Sequence, residues 1–168
     1  MINKGLSLQN NLTSRHDAYR RLFGVSGAAL SEAEWIAAMN TALPPQLSAL
    51  NARFETGSRL DKFLKVSFSP GPERFTAFMA LSGGSVAEML DQTATHCGTL
   101  VTGKGLPTLT MTVNYLRAGT GSSFIATTRM LSLTRTSALL RAELADEQGR
   151  AIASASVAAN LRDITRYL

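Results

Sequence analysis

The segment SVAEMLDQTATHCGTL, Ser85 to Leu100, constrains the fold more than any other part of the chain. Placed at about 100° per residue, it divides into three sectors. Val86, Met89, Leu90, Thr93, Cys97 and Leu100 form a broad apolar arc, and Ser85, Glu88, Gln92 and His96 a narrow polar one. The remainder, Ala87, Asp91, Ala94, Thr95 and Gly98, is too small-sided for an ordinary solvent face. Small side chains admit a neighbouring backbone. The segment therefore reads as one long helix enclosed by a sheet and by a second neighbour, with Asp91 projecting into the seam.

Strands dominate the C-terminal part of the chain. In TLTMTVNYLR the residues Leu109, Met111, Val113 and Tyr115 alternate with Thr108, Thr110, Thr112 and Asn114, which predicts a strand with two unlike faces. SFIATTRMLSL, TSALLRAELAD and RAIASASVAANL come next, divided by the turn sequences AGTGS, LTR and DEQG, and together they read as a β-meander. Ahead of the helix, Leu64, Val66 and Phe68 alternate in KFLKVSFSP and predict one strand, and SPGPERFTAF reads as a loop.

Nearer the N-terminus, Ser31 precedes Glu34 by three residues, a capping-box spacing, and Trp35, Ile36 and Met39 repeat at helical intervals. A second short helix is expected from Pro45, and residues 1–28 read as a short helix or a loose arm. The predicted order is helices, one strand, one long helix and four antiparallel strands. That is an α+β domain, with residues 1–55 as a helical extension and 56–168 as the main domain.

Composition narrows the function. With 168 residues, 45% of them hydrophobic, the chain suits one globular domain with a real core. No run is long enough to span a bilayer, and the first residues lack the apolar centre of a signal peptide, so neither a membrane nor export is expected. A single cysteine, Cys97, rules out an internal disulfide and points to a reducing cytoplasm. Two distant histidines, His16 and His96, make no zinc pattern, and no metal is expected. The net charge of +5 is carried by scattered residues rather than a basic run, which argues against nucleic acid and suits a phosphorylated small molecule or plain solubility.

Gly83 and Gly84 stand just ahead of the predicted helix. The first amides of a helix lack internal acceptors and carry positive potential, so they can receive a negative oxygen. Amides that hold a developing oxyanion, with a carboxylate to activate water or attack, are the minimum for acyl transfer. The plainer readings stand beside this one. Gly83 and Gly84 form a turn, Asp91 accepts a structural N–H, Ser82 caps the helix, Thr95 bonds its own helix, Thr108 belongs to a polar strand face, and His96 and Cys97 are structural.

The stretch LSGGSVAEMLDQTA, followed by GKGLPTLTMTVNYLR, resembles the hotdog-fold thioesterases, and among them the phenylacetate-degradation branch of acyl-CoA thioesterases. In that branch a His-Gly-Gly triplet opens the central helix and an acid lies seven residues after its last glycine, an interval that Gly84 and Asp91 keep. NYLRAG and SLTRTSALLRAEL are similar to later family segments, and the likeness covers roughly residues 60–162. It implies a hotdog fold, an antiparallel sheet wrapped around a central helix, here with extra N-terminal helices.

It also implies a homodimer or homotetramer that hydrolyses an acyl-CoA at a site between subunits, without a cofactor other than the coenzyme A of the substrate. By the same resemblance the Gly83 amide polarises the thioester carbonyl, Gly84 supports the turn, and Asp91 of the other subunit acts as base or nucleophile. Thr108 and Thr95 assist, and Arg135 and Thr136 meet coenzyme A, with Arg117 a further basic candidate at a strand end. Ser82 stands where the family has histidine, Thr76 and Ala77 lie where it has an upstream asparagine, and Thr134 replaces a turn glycine. These departures leave a second expectation open, a non-catalytic module that binds acyl-CoA or another apolar ligand.

Overall fold

The cap expected at Ser31 forms in full. Its hydroxyl accepts from the Glu34 amide at 3.3 Å, and its own amide donates to the Glu34 carboxylate at 2.8 Å. The structure, a computed structural model, describes residues 17–164; the expectation for residues 1–16 lies outside them. A helical turn at 17–20 precedes α1 (Gly24–Ala29), α2 (Glu32–Thr41) and the short α3 (Pro45–Ser48), which starts at the predicted proline. Then come β1 (Ala52–Ser58), β2 (Phe63–Phe68), the long α4 (Gly83–Thr102), β3 (Thr108–Tyr115), β4 (Phe124–Leu133), β5 (Ser137–Asp146) and β6 (Ala151–Asn160).

Two expectations are corrected. The sequence predicts one strand before the central helix, and the structure has two. β1 escapes the alternation test because a bulge between Phe54 and Thr56 resets its register, so only Ala52 and Phe54 show the inward period. The division drawn between residues 55 and 56 consequently falls inside β1. Nor are the later strands a simple meander. All pairs are antiparallel in the order β1-β2-β4-β5-β6-β3, so β3 lies beyond β6 and the chain crosses back to set β4 against β2.

The six-stranded sheet wraps α4, whose apolar arc is buried as predicted: Met89, Leu90 and Cys97 are fully covered, and Val86, Thr93 and Leu100 nearly so. Each large aliphatic side chain so covered contributes about 1.5–3 kcal/mol. Trp35, Met39 and Leu47 from the N-terminal helices, with Leu50 from the turn after them, join Phe54, Phe68, Phe124 and Leu140 in the same core. Arg59 fastens those helices down. Its guanidinium donates to the carbonyls of Gly27, Leu30 and Leu100 at 2.8–3.0 Å, and its amide donates to Glu32 at 2.6 Å.

α4 ends at Gly103, whose φ of 67° is open to glycine and costly for other residues. The small-sided sector is explained in part by the chain itself. Leu106 lies so close over Gly98 that an added Cβ would sit 2.0 Å from its Cδ2. The polar arc is not a solvent face, since Ser85 and His96 are both buried.

The two edges of the sheet differ. On β1, the Asn40 side chain of α2 donates to the Phe54 carbonyl at 2.9 Å and accepts from the Phe54 amide at 2.8 Å, where a further strand would pair. On β3, among the described residues, no group beyond its partner β6 pairs with the backbone.

Candidate active site

Ser82 is the N-cap of α4. Its hydroxyl accepts from the Ser85 amide at 3.2 Å and donates to the Ser85 hydroxyl at 2.9 Å, while its amide is taken by the Arg74 carbonyl. Gly83 and Gly84 come after it as the first two helical residues, both exposed, and among the described residues neither amide has an acceptor. The fold of this chain does not require these glycines. Neither has a positive φ, and an added Cβ would meet nothing within 4 Å at Gly84 and, at Gly83, the Tyr115 hydroxyl at 3.5 Å and its ring at 3.6 Å, ordinary contact distances. Glycine in a helix is costlier than alanine by about 1 kcal/mol. What the pair provides is open space before two free donors.

Asp91 lies on the same helical face as Gly84, seven residues on and about 10 Å along the axis. It is half-buried, and the Thr108 hydroxyl donates to its Oδ1 at 2.6 Å, a short charge-assisted bond. Alternation alone sets Thr108 on the face opposite Met111 and Val113. A bulge between Thr108 and Thr110 turns it toward the helix instead and leaves Leu109 62% exposed. Thr95, one turn past Asp91, donates its hydroxyl to the carbonyls of Asp91 and Gln92 at 3.0 and 3.2 Å, so it is engaged by its own helix.

Tyr115 is a site neighbour that a search for acids, histidines and free donors passes over. From the end of β3 its hydroxyl donates to the Gly83 carbonyl at 2.9 Å. The alternation that groups it with Met111 and Val113 is the signal, since those residues face the helix. β3 thus runs alongside the whole site, with Thr108 at the Asp91 end and Tyr115 at the glycine end.

The basic candidates separate. Arg135 and Thr136 are exposed on the β4–β5 turn, next to Ser137, which pairs with Asn160 near the Thr108 end. Arg117 is exposed beside Tyr115, its amide bonded to Ile152 at the other end of β6. About 26 Å of strand lies between those two ends.

An apolar cleft of about 610 Å³, lined by Pro70, Pro72, Phe75, Met79 and Gly121, adjoins the segment entering α4. Sequence reasoning gives this segment only as a loop. Its exposed Phe78 and Met79, 91% and 75% accessible, are the signal it carries. His96 and Cys97 stay outside the site. His96 is buried between the Tyr19 hydroxyl and the Gln92 carbonyl, and burial pushes the Cys97 thiol up to about 12. No helix among the described residues is long and apolar enough to cross a membrane.

Residues 79–153 match the family model described as the thioesterase superfamily. No curated protein matches the chain in sequence. Among solved structures, a phenylacetic acid degradation-related protein of Ralstonia eutropha superposes with a TM-score of 0.67 at 18% identity, over 70% of this chain and 90% of that one. The E. coli PaaI protein, from the phenylacetic acid degradation operon, gives 0.70 at 14% identity, over 78% of this chain and 94% of its own. A hypothetical thioesterase of Streptococcus pneumoniae, solved with coenzyme A, gives 0.63 at 18% identity, over 70% and 91%. At these identities the superpositions speak to shape. Shape gives the chain the hotdog fold, and over residues 79–153 its sequence is similar to the thioesterase superfamily.

Proposed function

We propose that the chain is an acyl-CoA thioester hydrolase working as a homo-oligomer, with each site shared between two copies. The observation that carries this is the pair of free glycine amides opening α4 onto space that the chain does not fill. A thioester carbonyl placed there directs its developing negative charge at the donors. Within one copy Asp91 stands about 10 Å from those donors along the helix, too far to act on the same carbonyl. The open β3 edge offers a second copy a place to pair, and antiparallel pairing brings the Asp91 end of one copy to the glycine end of the other.

In this reading Thr108 holds Asp91 through Oδ1. The other carboxylate oxygen takes a proton from water as that water attacks the carbonyl carbon. The tetrahedral intermediate then collapses, the C–S bond breaks, and coenzyme A leaves as a thiolate that takes up the proton. Ser82, committed to its cap, has no part in the transfer, and Thr95 steadies the helix around Asp91. Arg135 and Thr136 at one end, and Arg117 at the other, supply cationic and hydroxyl groups for the phosphates of coenzyme A. The apolar cleft beside the helix start suits an acyl group.

The test is free-thiol release from a panel of aromatic and aliphatic acyl-CoAs. Wild-type protein turns over at least one class, and Asp91→Asn lowers that rate by about a hundredfold or more with the oligomer intact. Equal rates in the two proteins remove Asp91 from the mechanism. Ligand-induced stabilisation without product release makes the domain a container instead.

A further inference from the structure

We infer that Tyr115 is a positioning residue for this reaction, acting through the peptide that joins Gly83 to Gly84. The inference rests on the hydrolase reading but concerns a group that reading does not use. The Gly83 carbonyl and the Gly84 amide belong to one planar unit. When the Tyr115 hydroxyl donates to that carbonyl, at 2.9 Å, it draws electron density toward oxygen and makes the Gly84 N–H a stronger donor. The same bond gives that carbonyl a second anchor, beside the amide four residues on that it accepts within α4.

Other side chains give the peptide little support. Gly84 has no neighbour within 4 Å of where a Cβ would sit, and the three atoms nearest to such a Cβ at Gly83 all belong to Tyr115. A glycine pair is the least restrained dipeptide available to a helix start. Outside the helix itself, its orientation is held by a side chain anchored on β3 at the position paired with Ala153. Burial does not force this bond. Tyr115 is 57% exposed, so its hydroxyl has water as an alternative partner and still meets the carbonyl. A phenylalanine would offer the same ring without the donor, so the hydroxyl alone is assigned the role.

The test is Tyr115→Phe, which keeps the ring. On an acyl-CoA that wild-type protein hydrolyses, kcat falls about tenfold while KM stays within about twofold. In the free protein, the amide proton resonance of Gly84 shifts upfield by nuclear magnetic resonance, whereas that of Thr99, deep in the same helix, does not move. An unchanged kcat, a loss confined to KM, or a stationary Gly84 resonance each overturns the proposal. The two readings fail separately. Full activity in Tyr115→Phe with none in Asp91→Asn sinks the role of Tyr115 alone. A wild-type chain inert toward every acyl-CoA sinks the hydrolase reading, and the Gly84 resonance still decides whether Tyr115 governs the peptide.

Discussion

Tyr19 and His96 hold each other inside the protein. The Tyr19 hydroxyl meets His96 Nε2 at 3.1 Å, His96 Nδ1 meets the Gln92 carbonyl at 2.7 Å, and the Phe54 ring packs edge-on at 5.5 Å. A carbonyl only accepts, so Nδ1 carries the proton and Nε2 takes the phenol's hydrogen; the imidazole is neutral. Burial pushes the Tyr19 phenol up to about 12. Burial also holds His96 below its ordinary 6.5, against the Gln92 carbonyl and the Asp91 charge, which both pull it upward. The unfolded chain therefore binds a proton near pH 6.5 that the native chain refuses, so stability is full above that pH and is lost as pH falls below it. Melting temperature should drop between about pH 7.5 and about pH 5.5, and His96→Gln, which keeps an acceptor for Tyr19, should flatten that drop. An identical pH profile in the variant would count against this. At this scale the sequence is partly legible. The interval from Gly84 to Asp91 is plain, but the meeting of Asp91 with Thr108 depends on a bulge, and a bulge breaks the period by which faces are read.

Among the elements, α2 has a task its composition does not announce. Asn40 lies among residues that read as an ordinary amphipathic helix, yet its carboxamide stands in for a missing strand on β1. Replacing it with alanine strands the Phe54 amide and carbonyl, at a cost of about 1–3 kcal/mol. Denaturant unfolding of Asn40→Ala should show that loss, together with a rise in concentration-dependent association as the β1 edge is bared. Wild-type stability in the variant would mean that water replaces the side chain without penalty. The long helix and four of the strands are readable because each spans eight residues or more, enough to show its period even where a bulge interrupts it, as in β3. β2 is readable from its shorter alternation, while β1, at seven residues with a bulge, is not.

For the molecule as a whole, the proposed shared site makes a prediction no single-chain site shares. Asp91→Asn lacks the base, and Gly84→Ala puts a methyl into the space before the donors. Each should be inactive alone. Refolded together, they form mixed pairs with one doubly damaged site and one intact site. Activity should return to about a quarter of the wild-type rate in an equal mixture of dimers. A mixture as dead as its components would confine the chemistry to one chain. Strand order and edge character are beyond the reach of sequence, because both depend on which distant segments meet. Those two unlike edges, one closed by Asn40 and one along β3 that none of the described residues beyond β6 pairs, also set a counting rule for the proposed assembly. A body with a single adhesive side saturates after one addition, so pairing through β3 alone would double the chain without propagating into a fibre.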